Sequence, residues 1–464
     1  MYDVVVIGSG PGGYVAAIRA AQKGGKVACI EKGNIGGTCL NRGCIPTKAL
    51  VQSASVYQTV LGAGEFGVST SGVSCDFTRV MQRKSEVVSR LVEGVERLFA
   101  SNGVELVRGT AHIAAPGVVT VNHGGEVTKL NTRSIIIATG SRPELPPVSE
   151  ESLSHTISSD DALELTEIPE SMVVIGGGVL GVEFACIYRA FGTEIDIIKR
   201  SPLILPPIDE ELSKRLMPLL KKQGIRINTG IYIKQILEAP GGGKRVLADT
   251  KDGKEVHFDA EKVLVAMGRK PDFGGLDLEA LGISYDKRGI HVNQHMETSV
   301  PGIYAIGDVV GRFYLAPVAS AEGIVAADNA MGERRSMDYS VIPQCVFSIP
   351  EVAGVGLTER EAKEKHGNIR VSKFPFSANG KAVAMGETDG LVKLVSDAEG
   401  KILGVHVLGP HATDLIHEGA VALAKGSRAE DIAHLVHAHP TLAEAVMEAA
   451  HGILGQPIHL ARVR

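Results

Sequence analysis

Two cysteines separated by four residues, Cys39 and Cys44, lie in the stretch GGTCLNRGCIPTK at 36–48. In a continuous α-helix, positions five apart sit roughly 8–9 Å from each other at Cα. A disulfide wants Cα atoms within about 7 Å. If the two pair, the backbone between them is therefore not regular helix. Gly43 can relax the chain there, and Pro46 suits the first turn of a helix that follows. Lys48 falls one helical turn beyond Cys44, where a cation favours thiolate over thiol. The stretch reads as a reducible disulfide at a helix start. Two unpaired core cysteines are the plainer alternative, and these residues alone leave both open.

Other residue groups carry possible chemistry. In HAHPTLAE, at 437–444, Pro440 biases His439 away from helix and sets it at a helix mouth. Glu444, in the first turn or so, can turn back to hold one ring nitrogen. A general-base histidine needs such an acid to fix its tautomer and raise its basicity. With 15 histidines in the chain, a purely structural histidine is the ordinary alternative. GIYAIGDV, at 302–309, puts Asp308 at a strand's C-terminal edge, where open α/β sheets bind ligands. Gly-Asp is also a common turn pair.

These groups must be positioned by regular elements. Residues 2–7, YDVVVI, predict a strand, followed by a turn with Gly8, Gly10 and Gly13, then a helix and a second strand ending at Glu31. GxGxxG between strand and helix, with an acid 18 residues after the last glycine, is a dinucleotide fingerprint. The first two glycines allow close approach to a pyrophosphate, the third lets helix and strand pack, and Glu31 can accept from a ribose hydroxyl. SMVVIGGGVLGVEFA, at 171–185, repeats the pattern with Gly176, Gly178 and Gly181, and VLVAMGRKP at 263–271 echoes IIIATGSRP at 135–143. Two such units imply two dinucleotides. Residues 76–101 predict a long amphipathic helix and 103–137 a run of strands. Pro143, Pro146 and Pro147 mark a boundary near 148. From about 340 a third, α+β domain is expected, with strands at 345–347, 390–396 and 402–408 and helices at 411–426, 428–436 and 441–452.

Composition narrows the class. The 464 residues favour about three domains. At 44% apolar and 22% charged, the chain has the balance of a folded globular protein. The 55 glycines suit a nucleotide-binding α/β protein. A net charge of −5 without a basic run gives no sign of nucleic acid or a membrane surface as partner. Six cysteines in so long a chain make no secreted framework, so a close pair is catalytic or metal-binding rather than structural. No apolar run reaches the roughly 20 residues of a membrane span, and no basic leader precedes Tyr2. A cytoplasmic protein is expected.

Taken together, GSGPGG, GGTCLNRGCIPTK, the second glycine motif, GDVVG and HAHPTLAE resemble the flavoprotein disulfide reductases over the whole chain, and within them the dihydrolipoamide dehydrogenases. The resemblance implies an α/β fold: two Rossmann-like dinucleotide-binding domains plus a C-terminal α+β dimerisation domain. The implied divisions are an FAD domain (1–148), an NAD(P) domain (149–272), a segment completing the FAD domain (273–338) and a dimer interface domain (339–464). It implies FAD held by Gly8, Gly10, Gly13, Glu31, Lys32, Gly37, Thr38, Lys48, Thr139, Gly140, Asp308 and Ala316. The pyridine nucleotide would meet Gly176, Gly178, Gly181, Glu183, Lys199, Arg200 and Gly268, with Lys48 paired to Glu183. No metal is implied. Cys39 would be the outer sulfur and Cys44 the one nearer the flavin, with His439 and Glu444 supplied by the other subunit of a homodimer. The implied substrate is dihydrolipoamide on the lipoyl domain of a 2-oxo acid dehydrogenase acyltransferase, or on a glycine-cleavage lipoyl carrier.

Two positions depart from that pattern. Lys199, followed by Arg200, stands where the family usually has glutamate, and a cationic pair suits the 2′-phosphate of NADP. The retained Gly181 argues for NAD, which is the expected nucleotide, with NADP as the alternative. Pro317 replaces a frequent histidine and looks more like glutathione reductase. The competing functions are thus an NADPH-dependent disulfide reductase of the same family and a flavin-binding redox sensor without turnover.

Overall fold

The computed structural model describes residues 1–460. The strand Tyr2–Ile7 is buried along its last four residues and lies between Val27–Glu31 and Glu126–Ile137 in parallel register. Burial on both faces explains the unbroken apolar run VVVI, since helices cover both sides of a parallel sheet. Glu105–Arg108 extends this sheet on one side. On the other, Thr110–Ala115 and Val118–His123 form an antiparallel meander running into Glu126–Ile137. Ile303–Ala305, far along the chain, returns to pair in parallel with Ile135–Ile137, completing seven strands.

The second unit repeats the scheme. Its sheet is wholly parallel, in the spatial order Ile225–Thr229, Glu194–Lys199, Ser171–Ile175, Lys262–Val265. A three-stranded antiparallel sheet, Ile231–Glu238, Lys244–Thr250 and Glu255–Ala260, lies in the chain between its two outer strands, Ile225–Thr229 and Lys262–Val265. The echoing segments ATGSRP and AMGRKP meet each other: Ser141–Pro143 pairs antiparallel with Arg269–Pro271. The repeat therefore marks the two crossings between units.

The C-terminal part is a five-stranded antiparallel sheet, ordered Gln344–Val346, Glu351–Gly356, Ile402–Gly409, Leu391–Asp397, Ile369–Pro375. The expected strands are present, and Glu351–Gly356 and Ile369–Pro375 join them unforeseen. Both carry residues uncommon in strands, the first two glycines and the second a terminal proline, which weaken the local signal. The expected helix at 441–452 starts later, at Glu444, and runs to Ile453. Among the described residues, no helix is long and apolar enough to cross a membrane.

One ammonium ties the second unit to this C-terminal sheet. Lys393, 1% exposed, reaches Asp209 at 2.8 Å, Glu211 at 3.2 Å and Glu359 at 2.7 Å. Burial by itself would raise Asp209. The Lys393 ammonium and the Glu359 amide, which donates at 3.0 Å, outweigh it and hold the carboxyl below its ordinary range. A carboxyl depressed in the fold contributes stability above its unfolded value, and loses it as pH falls through the folded one. Lys393→Met should therefore lower stability by about 3 kcal/mol at pH 7, where the acids lose their cation. Near pH 3 the difference should shrink, because the variant's buried acids, without their cation, take up protons. Thermal melts of both proteins at the two pH values check this. Equal losses at both would assign the effect to packing instead of charge.

Candidate active site

The helix across the two cysteines is broken where the spacing required. One helix, Gly37–Arg42, ends at Gly43 (φ −146°, ψ −113°), and a second, Cys44–Leu61, begins beyond it. Pro46 lies in the first turn of the second helix. Cys39 and Cys44 are both partly exposed and unbonded, and their thiols share a hydrogen bond. That bond, with the Lys48 ammonium, outweighs burial and lowers the Cys44 thiol to about 7, while Cys39 is driven up. The nearby cation thus favours Cys44 over Cys39 as the thiolate of the pair.

Lys48 is placed by a contact from the second unit. Its Nζ donates to both oxygens of Glu183, at 3.0 and 2.9 Å. Glu183 is fully buried in the helix Val179–Ala190. Its Oε1 also accepts from the backbone N–H of Phe347 at 3.0 Å, and the Phe347 ring lies 4.4 Å from the Lys48 nitrogen. One residue from each of the three parts of the chain therefore meets beside the thiols.

The glycine turns behave alike. A Cβ on Gly13 would lie 1.9 Å from the Gly8 carbonyl oxygen, and one on Gly181 would lie 2.1 Å from that of Gly176. The third glycine is demanded by helix–strand contact in both units. The second glycine is not: a Cβ on Gly10 would meet nothing nearer than 4.0 Å, and one on Gly178 nothing within 4 Å. Both have ordinary backbone angles, φ −64° and −81°. Both turns lead into helix N-termini whose first amides lack helical partners, the setting in which a pyrophosphate binds.

Around the first turn, Glu31 accepts from the Ser9 N–H at 2.9 Å, the Ser9 hydroxyl at 2.6 Å and the Gly33 N–H at 2.7 Å. Gly37 brings the cysteine helix against the turn, where a Cβ would lie 2.6 Å from the Gly10 Cα, with Thr38 in the same helical turn. Lys32 is mostly exposed and 3.7 Å from Asp272. On the far side, Thr139 donates to the Asp272 carbonyl at 2.5 Å, and Gly140 accepts from the Asp272 N–H. Asp308 accepts from the Ser141 hydroxyl at 2.5 Å. Burial raises its carboxyl above the usual range, against the pull of Ser141 and Arg269. Ala316 opens the helix Ala316–Ala330.

Three participants had no place in the sequence reading. The Thr47 hydroxyl is buried beside Lys48 and, among the described residues, has no hydrogen-bond partner, as a group meant for a ligand would be. Together with the open space over Gly10, it shows that the first unit fits a bound dinucleotide. Phe347 carries no local signal, since it arrives from the third part of the chain. Arg269, which donates to the Ser141 hydroxyl at 2.7 Å, was foreshadowed by the repeated AxGxxP segments.

In the second unit, Gly268 is in the left-handed region (φ +131°), and its carbonyl accepts from the Glu144 N–H. The two cations at the strand end part company. Arg200 is exposed. Lys199 is 9% exposed, donates to the Leu203 carbonyl and is lowered to about 8 by burial, so a solvated Lys-Arg pair is not what forms.

His439 and Glu444 do meet. His439 Nδ1 lies 2.9 Å from Glu444 Oε1, leaving Nε2 free on a ring that is 78% exposed. The Thr441 N–H donates to the other oxygen of Glu444 at 2.8 Å. Burial would raise Glu444, but the Thr441 amide and His439 prevail and hold it low. Leu435 and Val436, 57% and 93% exposed, stand beside this motif as a subunit interface would require.

Two parallel-sheet units with matching glycine turns, joined by an ion pair beside a thiol pair, define an oxidoreductase that passes electrons between a dithiol and two dinucleotides. Residues 2–323 match the pyridine nucleotide-disulphide oxidoreductase family, and 342–450 match that family's dimerisation domain. The chain is 43% identical to a dihydrolipoyl dehydrogenase of Bacillus subtilis (strain 168), over 99% of both proteins. It is 44% identical to that of Geobacillus stearothermophilus, over 99% of this chain and 97% of that protein. With the mitochondrial dihydrolipoyl dehydrogenase of Pisum sativum it shares 41%, over 99% and 92%. The chain belongs to the pyridine nucleotide-disulphide oxidoreductases, and its dimerisation domain makes it a homodimer.

Lys48→Met tests the electrostatics of the thiols. Alkylation of the reduced protein by iodoacetamide should follow a thiolate titrating near pH 7 in the parent. The variant should move that midpoint up by about one pH unit, because a nearby cation no longer favours the anion. An unmoved midpoint would leave the Cys39 hydrogen bond as the sole cause.

Proposed function

We propose that this protein is a dihydrolipoyl dehydrogenase, which oxidises protein-bound dihydrolipoamide to lipoamide and reduces NAD. The observation that carries this reading is the placement of the thiol pair Cys39 and Cys44 at a helix start, beside the Lys48–Glu183 contact that joins the two glycine-turn units. FAD at the first turn, when bound, carries the electron pair between the thiols and the nicotinamide. Gly10, Glu31, Thr47, Lys48 and Asp308 are the residues suited to hold it. We assign the chain's divisions as 1–148 and 273–338 for the FAD unit, 149–272 for the nucleotide unit and 339–464 for the dimer interface. The return of Ile303–Ala305 to the first sheet supports this division.

The chemistry of the chain's own residues follows from their geometry. In the oxidised enzyme Cys39 and Cys44 form a disulfide. His439 of one subunit, its Nδ1 held by Glu444, takes a proton at Nε2 from a substrate thiol and serves the thiol pair of the other subunit. The substrate thiolate attacks Cys39, the S–S bond breaks, and Cys44 leaves as the thiolate that Lys48 stabilises. The second substrate thiol then attacks the first sulfur, closing the lipoyl ring and releasing Cys39, and its proton passes to the Cys39 sulfur. Two electrons and the Cys39 proton then pass to NAD+, giving NADH and restoring the disulfide, and His439 releases the proton it holds. A low-pKa leaving group speeds thiol exchange, so the lowered sulfur is the one that should leave.

The substrate dithiol arrives on a lipoyl domain, of a 2-oxo acid dehydrogenase acyltransferase or of a glycine-cleavage carrier. A cytoplasmic setting suits a thiol pair that must be opened in every cycle.

Purified holoenzyme assayed with dihydrolipoamide and NAD is the direct test. Cys39→Ser and Cys44→Ser should each abolish dithiol oxidation while leaving NADH oxidation by artificial electron acceptors. His439→Gln should slow the dithiol half-reaction by a factor on the order of 10² or more, with Glu444→Gln less affected. Reduction by NADH should be little changed in both. Near-normal turnover in either serine variant would remove the thiol pair from the mechanism. Turnover with glutathione disulfide and NADPH, and none with dihydrolipoamide, would favour a glutathione reductase-like enzyme.

A further inference from the structure

The two units end their second strands in side chains of opposite charge, at matching positions: Glu31 lies 18 residues beyond Gly13, and Lys199 lies 18 beyond Gly181. In the first unit the carboxylate is pinned by Ser9 and Gly33. The second unit has Gly177 in the place of Ser9, and a Cβ there would lie 2.7 Å from Lys199 Cδ. The lysine stem occupies space that a side chain at 177 would need. The exchange is therefore matched: losing the serine makes room for the lysine. Its ammonium is then tied to the Leu203 carbonyl, and Leu205 N–H donates to the Gly177 carbonyl at 2.8 Å, folding the following loop onto the turn.

We infer that the second unit takes NADP as well as NAD, because the strand end that carries the Glu31 carboxylate in the first unit carries two cations, Lys199 and the exposed Arg200, in the second. The inference rests on the reading that this turn holds the pyridine nucleotide. A carboxylate there accepts from a ribose 2′-hydroxyl and repels a 2′-phosphate, whereas a cation attracts the phosphate and tolerates the hydroxyl. An ammonium carries three N–H donors, and the Leu203 carbonyl takes one. Burial lowers Lys199 only to about 8, so it is mainly charged at neutral pH. The exposed Arg200 adds a second cation on the same edge. Retention of Gly181 does not oppose this, because the Gly176 carbonyl demands a glycine there whichever nucleotide binds.

Direct binding separates this from turnover. NAD+ and NADP+ are titrated calorimetrically into the flavin-loaded dimer at pH 7 and fixed ionic strength, for the parent, Lys199→Glu and Lys199→Met. In the parent, the Kd for NADP+ should be no more than about tenfold weaker than for NAD+. Lys199→Glu should weaken NADP+ at least about tenfold relative to NAD+, the scale of one charge-assisted hydrogen bond. Lys199→Met, which keeps the packed stem, should shift the ratio the same way by less. Flavin content reports folding, and Lys199→Met decides the matter if the glutamate does not fold. A parent that binds NADP+ more than a hundredfold weaker than NAD+, or a ratio unchanged within twofold in the variants, would overturn the inference and leave Lys199 as a loop staple. Inactivity towards dihydrolipoamide with a shifted ratio would instead sink only the proposed substrate.

Discussion

The buried carboxylate of Glu183 constrains the rest of the molecule. An ionised carboxylate without solvent is costly by several kcal/mol, and it persists only where partners replace the lost water. Lys48 and the Phe347 amide supply that replacement. Each comes from a different part of the chain, so the carboxylate can be satisfied only when all three parts are docked. The same docking brings the Lys48 charge to Cys44. A demand of desolvation is thereby turned into the electrostatics of a reactive thiol.

The two glycine-turn units show which features of a repeat are structural and which are functional. Their third glycines are fixed by carbonyl oxygens about 2 Å from where a Cβ would sit, a steric necessity of the turn itself. Their second glycines are not crowded by the protein, so the turn itself does not demand them. Their terminal residues, Glu31 and Lys199, are free to diverge because each is satisfied locally, by amides in one unit and by a carbonyl in the other. In the second unit the lysine stem lies where a side chain at 177 would begin, 2.7 Å from a Cβ placed there, so the glycine leaves it room.

The C-terminal sheet plays two parts with little overlap. Its strand Leu391–Asp397 anchors the second unit through Lys393 and its three acids. The other end of that domain holds His439 on a surface that its own chain does not cover. The histidine is oriented by Glu444 alone, so its direction is set before any partner arrives. An exposed, preoriented base with exposed Leu435 and Val436 beside it is the form expected of a residue that works across a dimer.

Much of the site was legible in the sequence because its determinants are local. The spacing of Cys39 and Cys44 required a helix break and Gly43 supplied it; the Gly-x-Gly-x-x-Gly turns, the acid after the first, and the His439–Glu444 pair all lie within short stretches whose geometry is set by backbone rules. What tertiary structure alone decided is where separated segments meet. The Thr47 hydroxyl without a partner, the Phe347 amide on Glu183, the pairing of Ser141–Pro143 with Arg269–Pro271, and the inward turn of Lys199 all depend on packing across long sequence separations. A lysine at a strand end has the same local pattern whether it faces water or a carbonyl. The space beside Gly177 and the Leu203 carbonyl decide it together, and both are in place only once the strand, the turn and the following loop are packed.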